Sequence, residues 1–189
     1  MLEGKMTRLR ASELEDLERD FAWVNDPEVT RFLATRYPMS RAEEERWLRA
    51  RPANDFSNGV FFAIETKTEG VHIGNTNLMQ VHPEERKAAL GIMIGDRDYW
   101  SNGYGTDAIV TLLRFGFGEM NLNRVWLQTF DFNERAQACY RKCGFIEEGR
   151  LRQHYYGEGR YWDVVMMGVL RDEFEALHGL VPQAEQVER

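Results

Sequence analysis

The chain has 189 residues, 43% of them apolar and 12% aromatic, which fits one domain with a full-sized core and excludes general disorder. A formal charge of −7 at pH 7 argues against nucleic acid as the main partner, because phosphate neutralisation needs a basic face, and it agrees with a cationic substrate. No apolar run approaches the roughly 18 residues of a membrane span, and Met1 to Lys5 opens no signal region, so a soluble, cytoplasmic protein is expected. Cys139 and Cys143 are too few and too close for a disulfide framework and have no histidine near them in sequence. They read as reduced thiols, with no metal site.

Taken in order, Met6 to Arg10 alternates as a short strand with Thr7 and Leu9 on one face. Ser12, with Glu15 three residues on, predicts a capping box and a helix that buries Leu14, Leu17, Phe21 and Val24. Asn25-Asp26-Pro27 ends it, and a short helix from Pro27 to about Leu33 stops at Arg36-Tyr37-Pro38. Ser40 caps the next helix, Arg41 to Arg51, whose first turn carries Glu43, Glu44 and Glu45 where the helix dipole favours carboxylates. Trp47 and Leu48 give it a narrow apolar stripe, which predicts a cover lying over the domain. Pro52 to Gly59 reads as a polar loop.

Val60 to Thr66 and Val71 to Val81 read as strands joined by the turn Lys67-Thr68-Glu69-Gly70. The central strand follows from Arg86 to Gly95. Ala88, Leu90, Ile92 and Ile94 share one face, and Ala89, Gly91, Met93 and Gly95 share the other. Glycines there would let a ligand backbone approach. Asp96 to Asn102 is a turn, and the helix from Gly103 to about Phe117 points Ala108, Ile109, Leu112 and Leu113 inward. Arg124 to Phe132 is a strand, Asn133 to Cys143 a helix, and Gly144 its left-handed stop. Phe145 to Tyr156 and Tyr161 to Leu170 form a final hairpin around Gly157-Glu158-Gly159. Val181 to Arg189 reads as a disordered tail. This order predicts one α/β (α+β) domain over residues 1–180, with a mixed, mostly antiparallel sheet.

Two readings compete for Gly103-Tyr104-Gly105-Thr106-Asp107-Ala108. As Gly-x-Gly-x-x-Ala it matches the dinucleotide fingerprint, which needs the helix directly after the strand and an acid about 20 positions on. Here seven residues, Asp96 to Asn102, intervene, and the nearest strand-end acid, Asp131, stands 28 residues past Gly103. Four strands also precede a unit that should come first. The other reading needs only a strand ending beside a glycine-rich helix start, where backbone N–H groups and the positive end of the dipole hold a phosphorylated cofactor.

The strand Leu90-Gly91-Ile92-Met93-Ile94-Gly95, the loop Tyr99 to Thr106, and the later stretch Asn133 to Phe145 resemble the GNAT superfamily of acetyl-CoA-dependent N-acetyltransferases. Within it they look most like the RimJ/RimL-like branch of ribosomal-protein alanine N-acetyltransferases. The resemblance covers roughly Met6 to Leu170 and implies a GNAT fold with strands splayed at the acetyl-CoA site. It implies further that backbone N–H groups of Asn102, Gly103, Tyr104, Gly105 and Thr106 cradle the pyrophosphate. Ile92, Met93 and Ile94 would bond the pantetheine arm like an added strand. Asn133 would touch pantetheine or hold the splay, and Tyr140 would protonate the departing thiolate. Arg141 and Lys142 stand where a nucleotide phosphate could pass.

Two departures from the branch matter. A glutamate often precedes the Leu-Gly pair of the central strand as a proton acceptor, and here that position is Ala89. The serine often found after Asn133 is Ala136. An alkylammonium leaves about 0.1% free amine at pH 7, a cost near 4 kcal/mol if nothing assists. Candidate bases are therefore Glu65, His72, Asp96, and His154 with Tyr155 and Tyr156. The implied activity is direct acetyl transfer to a primary amine, a small amine or a protein N-terminus, in a ternary complex. The competing class is a non-catalytic acyl-CoA-binding module that lost its base. Exposed aromatics such as Trp162 would permit a homodimer.

Overall fold

The computed structural model describes residues 1–35, 37–50 and 59–179. Arg36, most of the expected loop from Pro52 to Gly59, and the expected tail from Val181 to Arg189 lie outside the described residues. Eight strands form one sheet: β1 (Leu2–Glu3), β2 (Thr7–Arg10), β3 (Val60–Thr66), β4 (His72–His82), β5 (Lys87–Ile94), β6 (Arg124–Phe130), β7 (Ile146–Gly157) and β8 (Arg160–Leu170). Their spatial order is β1-β2-β3-β4-β5-β6-β8-β7. Every neighbouring pair is antiparallel except β5 and β6, which run parallel as a crossover connection requires.

That connection is α4 (Tyr104–Gly118), lying on the sheet face that carries Ala88 and Leu90. Its Ala108, Ile109, Leu112, Leu113 and Phe117 are fully buried, together with Leu9, Ile64 and Leu78 from the strands. Each large apolar side chain so buried is worth about 2 kcal/mol before chain entropy is charged against it. The helical spacing of these residues is what sets α4 against the sheet. Asp107, in the first turn of α4, accepts from the backbone N–H groups of Lys5, Met6 and Thr7 and from the Thr7 hydroxyl. Burial works to raise its pKa, but these donors outweigh burial and hold it below the ordinary carboxylate range.

The other helices are α1 (Leu17–Val24), α2 (Pro27–Thr30), α3 (Arg41–Ala50), α5 (Glu134–Lys142) and α6 (Arg171–His178). Several differ from expectation. A 3₁₀ turn, Leu14–Asp16, precedes α1, and the cap sits one residue late: the Asp16 carboxylate, not Glu15, accepts from the backbone of Glu13. Leu14 is exposed, while α1 buries Leu17, Asp20 and Trp23. A local stripe cannot say which of two neighbouring apolar rows meets the sheet.

α3 has the expected cap, with Glu43 accepting from the amide and hydroxyl of Ser40, but within its acidic run Glu44 is buried. Gly95 does not serve ligand approach. A Cβ there would fall 2.1 Å from Trp23 Cδ2, so the glycine admits α1 against the sheet. α6 was not foreseen; its Phe174 packs on Phe117 with ring centroids 5.3 Å apart. Trp162 is half-buried rather than exposed, with its ring 4.6 Å from that of Phe132.

Candidate active site

The parallel pairing of β5 with β6 is short. Lys87, Ala88 and Ala89 pair with Arg124, Val125 and Trp126, and there it stops. On its other edge β5 stays paired with β4 as far as Ile94. The split is the expected splay, and the same cavity that contains it has a volume of about 900 Å³.

The register decides which backbone groups face the split. Gly95 donates to Ile73 across the β4 edge. By the two-residue alternation of an antiparallel ladder, Met93 and Gly91 also face β4, and Leu90, Ile92 and Ile94 present their N–H groups to the split. The main chain of Met93 is thus spent on Asn75, and only its side chain lines the cavity. The Ile94 carbonyl is taken as well, accepting from Trp100 Nε1 at 2.6 Å.

Past the split, Gly103 adopts φ 90°, a left-handed conformation that glycine tolerates, and opens α4 with no side-chain cap. The first-turn N–H groups therefore have no capping oxygen. Gly103, Gly105 and Thr106 line the cavity. Asn102 and Tyr104 do not: Asn102 folds back to donate to the Asp98 carbonyl, and the Tyr104 ring packs edge-on to Tyr99.

Asn133 and Tyr140 reach the same cavity on α5. Asn133 Oδ1 caps that helix by accepting from the Ala136 amide at 3.2 Å, and Gly144, at φ 101°, ends it. Tyr140 is buried, and desolvation, with Cys139 and Cys143 nearby, drives its phenol well above the ordinary range. Burial thus leaves the hydroxyl protonated at neutral pH, a donor whose pKa lies further above a thiol's than an ordinary phenol's does. Lys142 lines the cavity, whereas Arg141 does not and donates to Gln137 Oε1 one turn back.

Cys139 also faces the cavity, its Sγ 3.3 Å from Thr106 Oγ1. The hydrogen bond from Cys143 lowers its pKa to about 7, against the opposing effect of burial. Cys143, behind it, is raised by the same hydrogen bond and by burial.

The opposite wall comes from α1 to α3. Asp20 and Glu44, each 1% exposed, stand in this wall among residues that include Val24, Val29, Phe32 and Met39. Between the walls, the Arg135 guanidinium lies 3.6 Å from the Trp100 ring centroid and 5.1 Å from that of Phe32. This joins the segment after α2 to the loop before α4.

None of the expected bases lines the cavity. Glu65 is held by Arg10 at 2.9 Å, Asp96 caps a short turn through Asp98, and His154 lies exposed on β7. His72 is buried one layer behind, its Nδ1 3.2 Å from Asp16. Two acidic residues that do stand in the cavity wall carried a signal in the sequence. Asp20 stands three residues from both Leu17 and Trp23, and Glu44 three and four before Trp47 and Leu48, so each carboxylate shares its helix's apolar stripe. Among the described residues no group of three or more metal-ligating side chains is gathered.

Comparison with known proteins gives a consistent picture. A family model described as an acetyltransferase (GNAT) domain matches residues 7–146. The chain is 29% identical to the uncharacterized N-acetyltransferase p20 of Bacillus licheniformis, over 88% of this chain and 93% of that protein. It is 28% identical to the spermidine N(1)-acetyltransferase of Escherichia coli K12, over 90% of this chain and 89% of that protein. Among solved structures, spermidine N-acetyltransferase from Vibrio cholerae in complex with CoA and spermine superposes with a TM-score of 0.81. It is 25% identical, covering 89% of this chain and 98% of that one.

Proposed function

The chain belongs to the GNAT acetyltransferase family, an enzyme that moves acetyl from acetyl-CoA to an amine, and on that premise we propose that its acceptor is a small cationic amine of the polyamine kind. The carrying observation is the buried pair Asp20 and Glu44, set across the cavity from the split strand. Two carboxylates on one wall favour a cation over a neutral or anionic acceptor in the cavity beside them. A protein N-terminus, the acceptor the RimJ/RimL-like branch would imply, offers one ammonium; a polyamine offers one to react and others to be held.

In this reading the diphosphate sits on the first-turn amides of α4 at Gly103, Gly105 and Thr106, where the helix dipole favours it. Pantetheine runs along the open edge of β5, bonding Ile92 and the N–H of Ile94. A main-chain N–H on that edge also polarises the thioester carbonyl. Met93 contributes its side chain only. Asn133 holds the start of α5 in place, and Tyr140, fixed on that helix, donates its O–H to the sulfur as the C–S bond breaks. Asn102 and Tyr104 shape the loop from behind. The single sheet that runs through the described strands supports one domain to about residue 180.

The test is release of CoA thiol from acetyl-CoA with spermidine, propylamine and an alanyl peptide. Turnover with spermidine, at least tenfold above propylamine in kcat/KM, is expected. Turnover confined to the peptide would transfer the acceptor to a protein N-terminus. Absence of thiol release with all three would leave a cofactor-binding module without catalysis.

A further inference from the structure

As an amine adds to a thioester carbon, negative charge gathers on the acyl oxygen, and a donor fixed there lowers the barrier. Ala89, Gly91 and Met93, on one face of β5, offer it no polar side chain. The polar groups of that face stand on β4, where Asn75 pairs with Met93 and Asn77 with Gly91. Directly opposed residues share a face of the sheet, and both asparagines line the cavity. The amide of Asn75 is spent: its Nδ2 donates to Asp20 Oδ1 at 2.6 Å, and its Oδ1 lies 3.3 Å from His72 Nε2.

The amide of Asn77 is not spent. A Cβ on Gly91 would fall 2.8 Å from Asn77 Oδ1 and 3.3 Å from Nδ2, so this amide fills the space a side chain at 91 would need. It is thereby carried from β4 across β5, over the length that has parted from β6 and beside the N–H groups of Leu90 and Ile92. Oδ1 is buried there and accepts from nothing, while Nδ2 donates to no described residue. Of the two ends of the amide, Nδ2 is the one left for a partner in the cavity. An amide oxygen buried without a donor costs about 1–3 kcal/mol, so packing alone would favour an apolar residue at this position. A cationic amine brings N–H donors of its own and cannot answer Nδ2. An oxygen can, and the thioester carries one whose charge grows during the reaction.

We propose that Asn77 is a catalytic residue whose Nδ2 donates to the acyl oxygen of bound acetyl-CoA and holds it as the amine adds, a role that rests on the acetyltransferase reading above. The amine, as free base, forms the N–C bond with its lone pair, and the C=O π pair moves onto the oxygen. A β5 main-chain N–H and Asn77 Nδ2 then share that charge. When the pair returns to carbon, the C–S bond breaks with its electrons on sulfur, which takes a proton from Tyr140. The proton shed by nitrogen as it becomes an amide restores Tyr140. Asn77 gains and loses no proton at any step.

The experiment measures kcat for spermidine in wild type, Asn77→Ala and Asn77→Asp, with acetyl-CoA affinity and melting temperature measured on each. Infrared spectra of bound acetyl-CoA, labelled with carbon-13 at the acyl carbon, report the C=O stretch directly. Loss of the donor lowers kcat about 10²- to 10³-fold in Asn77→Ala, with acetyl-CoA affinity unchanged and the C=O band moved to higher frequency. Asn77→Asp keeps the shape but sets an anion in place of the donor, so its kcat falls at least as far. An Asn77→Asp enzyme as fast as wild type, or faster, makes Oδ1 the working atom and overturns the proposal. So does a fall in acetyl-CoA affinity with kcat unchanged, which places Nδ2 on the pantetheine arm, and so does a C=O band that stays where it is in Asn77→Ala. A wild-type enzyme that releases no thiol with any amine overturns the acetyltransfer reading and this role with it. Wild-type turnover beside unimpaired Asn77 variants overturns this role alone.

Discussion

The wall we assign to acetyl-CoA is made of main chain: the parted edge of β5 and the uncapped start of α4, two elements joined by one short loop. The wall we assign to the acceptor is made of side chains, from α1, α3 and β4, which are separated by most of the first half of the sequence. Main-chain amides accept any thioester of CoA in the same way and change little with residue identity. Carboxylates set in an apolar lining respond to the size and charge of what enters. The difference teaches where specificity should reside, and each wall can be tested by a change that leaves the other alone.

The largest effect is expected at the helix start. A Cβ on Gly105 would meet only Cys139 Sγ at 3.7 Å and Ile94 Cγ1 at 3.8 Å, so the fold tolerates a side chain. Gly105→Asp sets a negative charge against the diphosphate, at a cost of about 4 kcal/mol for charges about 4 Å apart. Calorimetric titration should show acetyl-CoA affinity down at least about 100-fold with the melting temperature held; unchanged affinity would move the diphosphate elsewhere. Next comes Tyr140→Phe, which removes one donor and little volume. We expect kcat to fall about 100-fold with acetyl-CoA affinity unchanged, and an undiminished kcat would remove Tyr140 from the chemistry.

A smaller effect tests how the acceptor wall is seated. Gly95→Ala forces a methyl into the Trp23 ring, which should cost about 1–3 kcal/mol and lower the melting temperature by roughly 2–10 °C. Calorimetry that shows no change would mean α1 is not pressed on β5 there. The mildest test uses chemistry already present. Cys139, with its pKa near 7, should be alkylated by iodoacetamide at a rate that rises through about pH 7 and levels above it, as the thiolate fills. Bound CoA should slow this reaction by covering the cavity side of Thr106; mass spectrometry that finds no protection would separate Cys139 from the cofactor path.

Residue patterns carried the cofactor wall further than the acceptor wall. The alternation in Ala88 to Ile94, Gly103 before a strongly apolar helix, and Gly144 at the end of α5 are local signals, and the strand, the helix opening and the helix stop stand where those signals put them. Met93 departs from its implied contact because strand register, not composition, decides which edge an amide faces. The expected bases missed the cavity for a related reason. Glu65, Asp96 and His154 were chosen by strand and by chemistry, and β3, the turn after β5 and β7 carry them away from the split.

From sequence alone came the α+β class, the mostly antiparallel sheet, the glycine-opened helix and the GNAT resemblance. The first three rest on periodicities and turn residues close together in the chain, where connectivity fixes the geometry, and the resemblance rests on three motifs spread from Leu90 to Phe145. Only the tertiary structure decided that Gly95 serves Trp23, that Asp20 and Glu44 face inward, and that His72 stands behind Asn75. Those facts depend on how α1 to α3 dock across strands far away in the chain. A helix stripe states that a face is buried, but the partner it meets sets whether a carboxylate on that face is a fault in packing or a functional group.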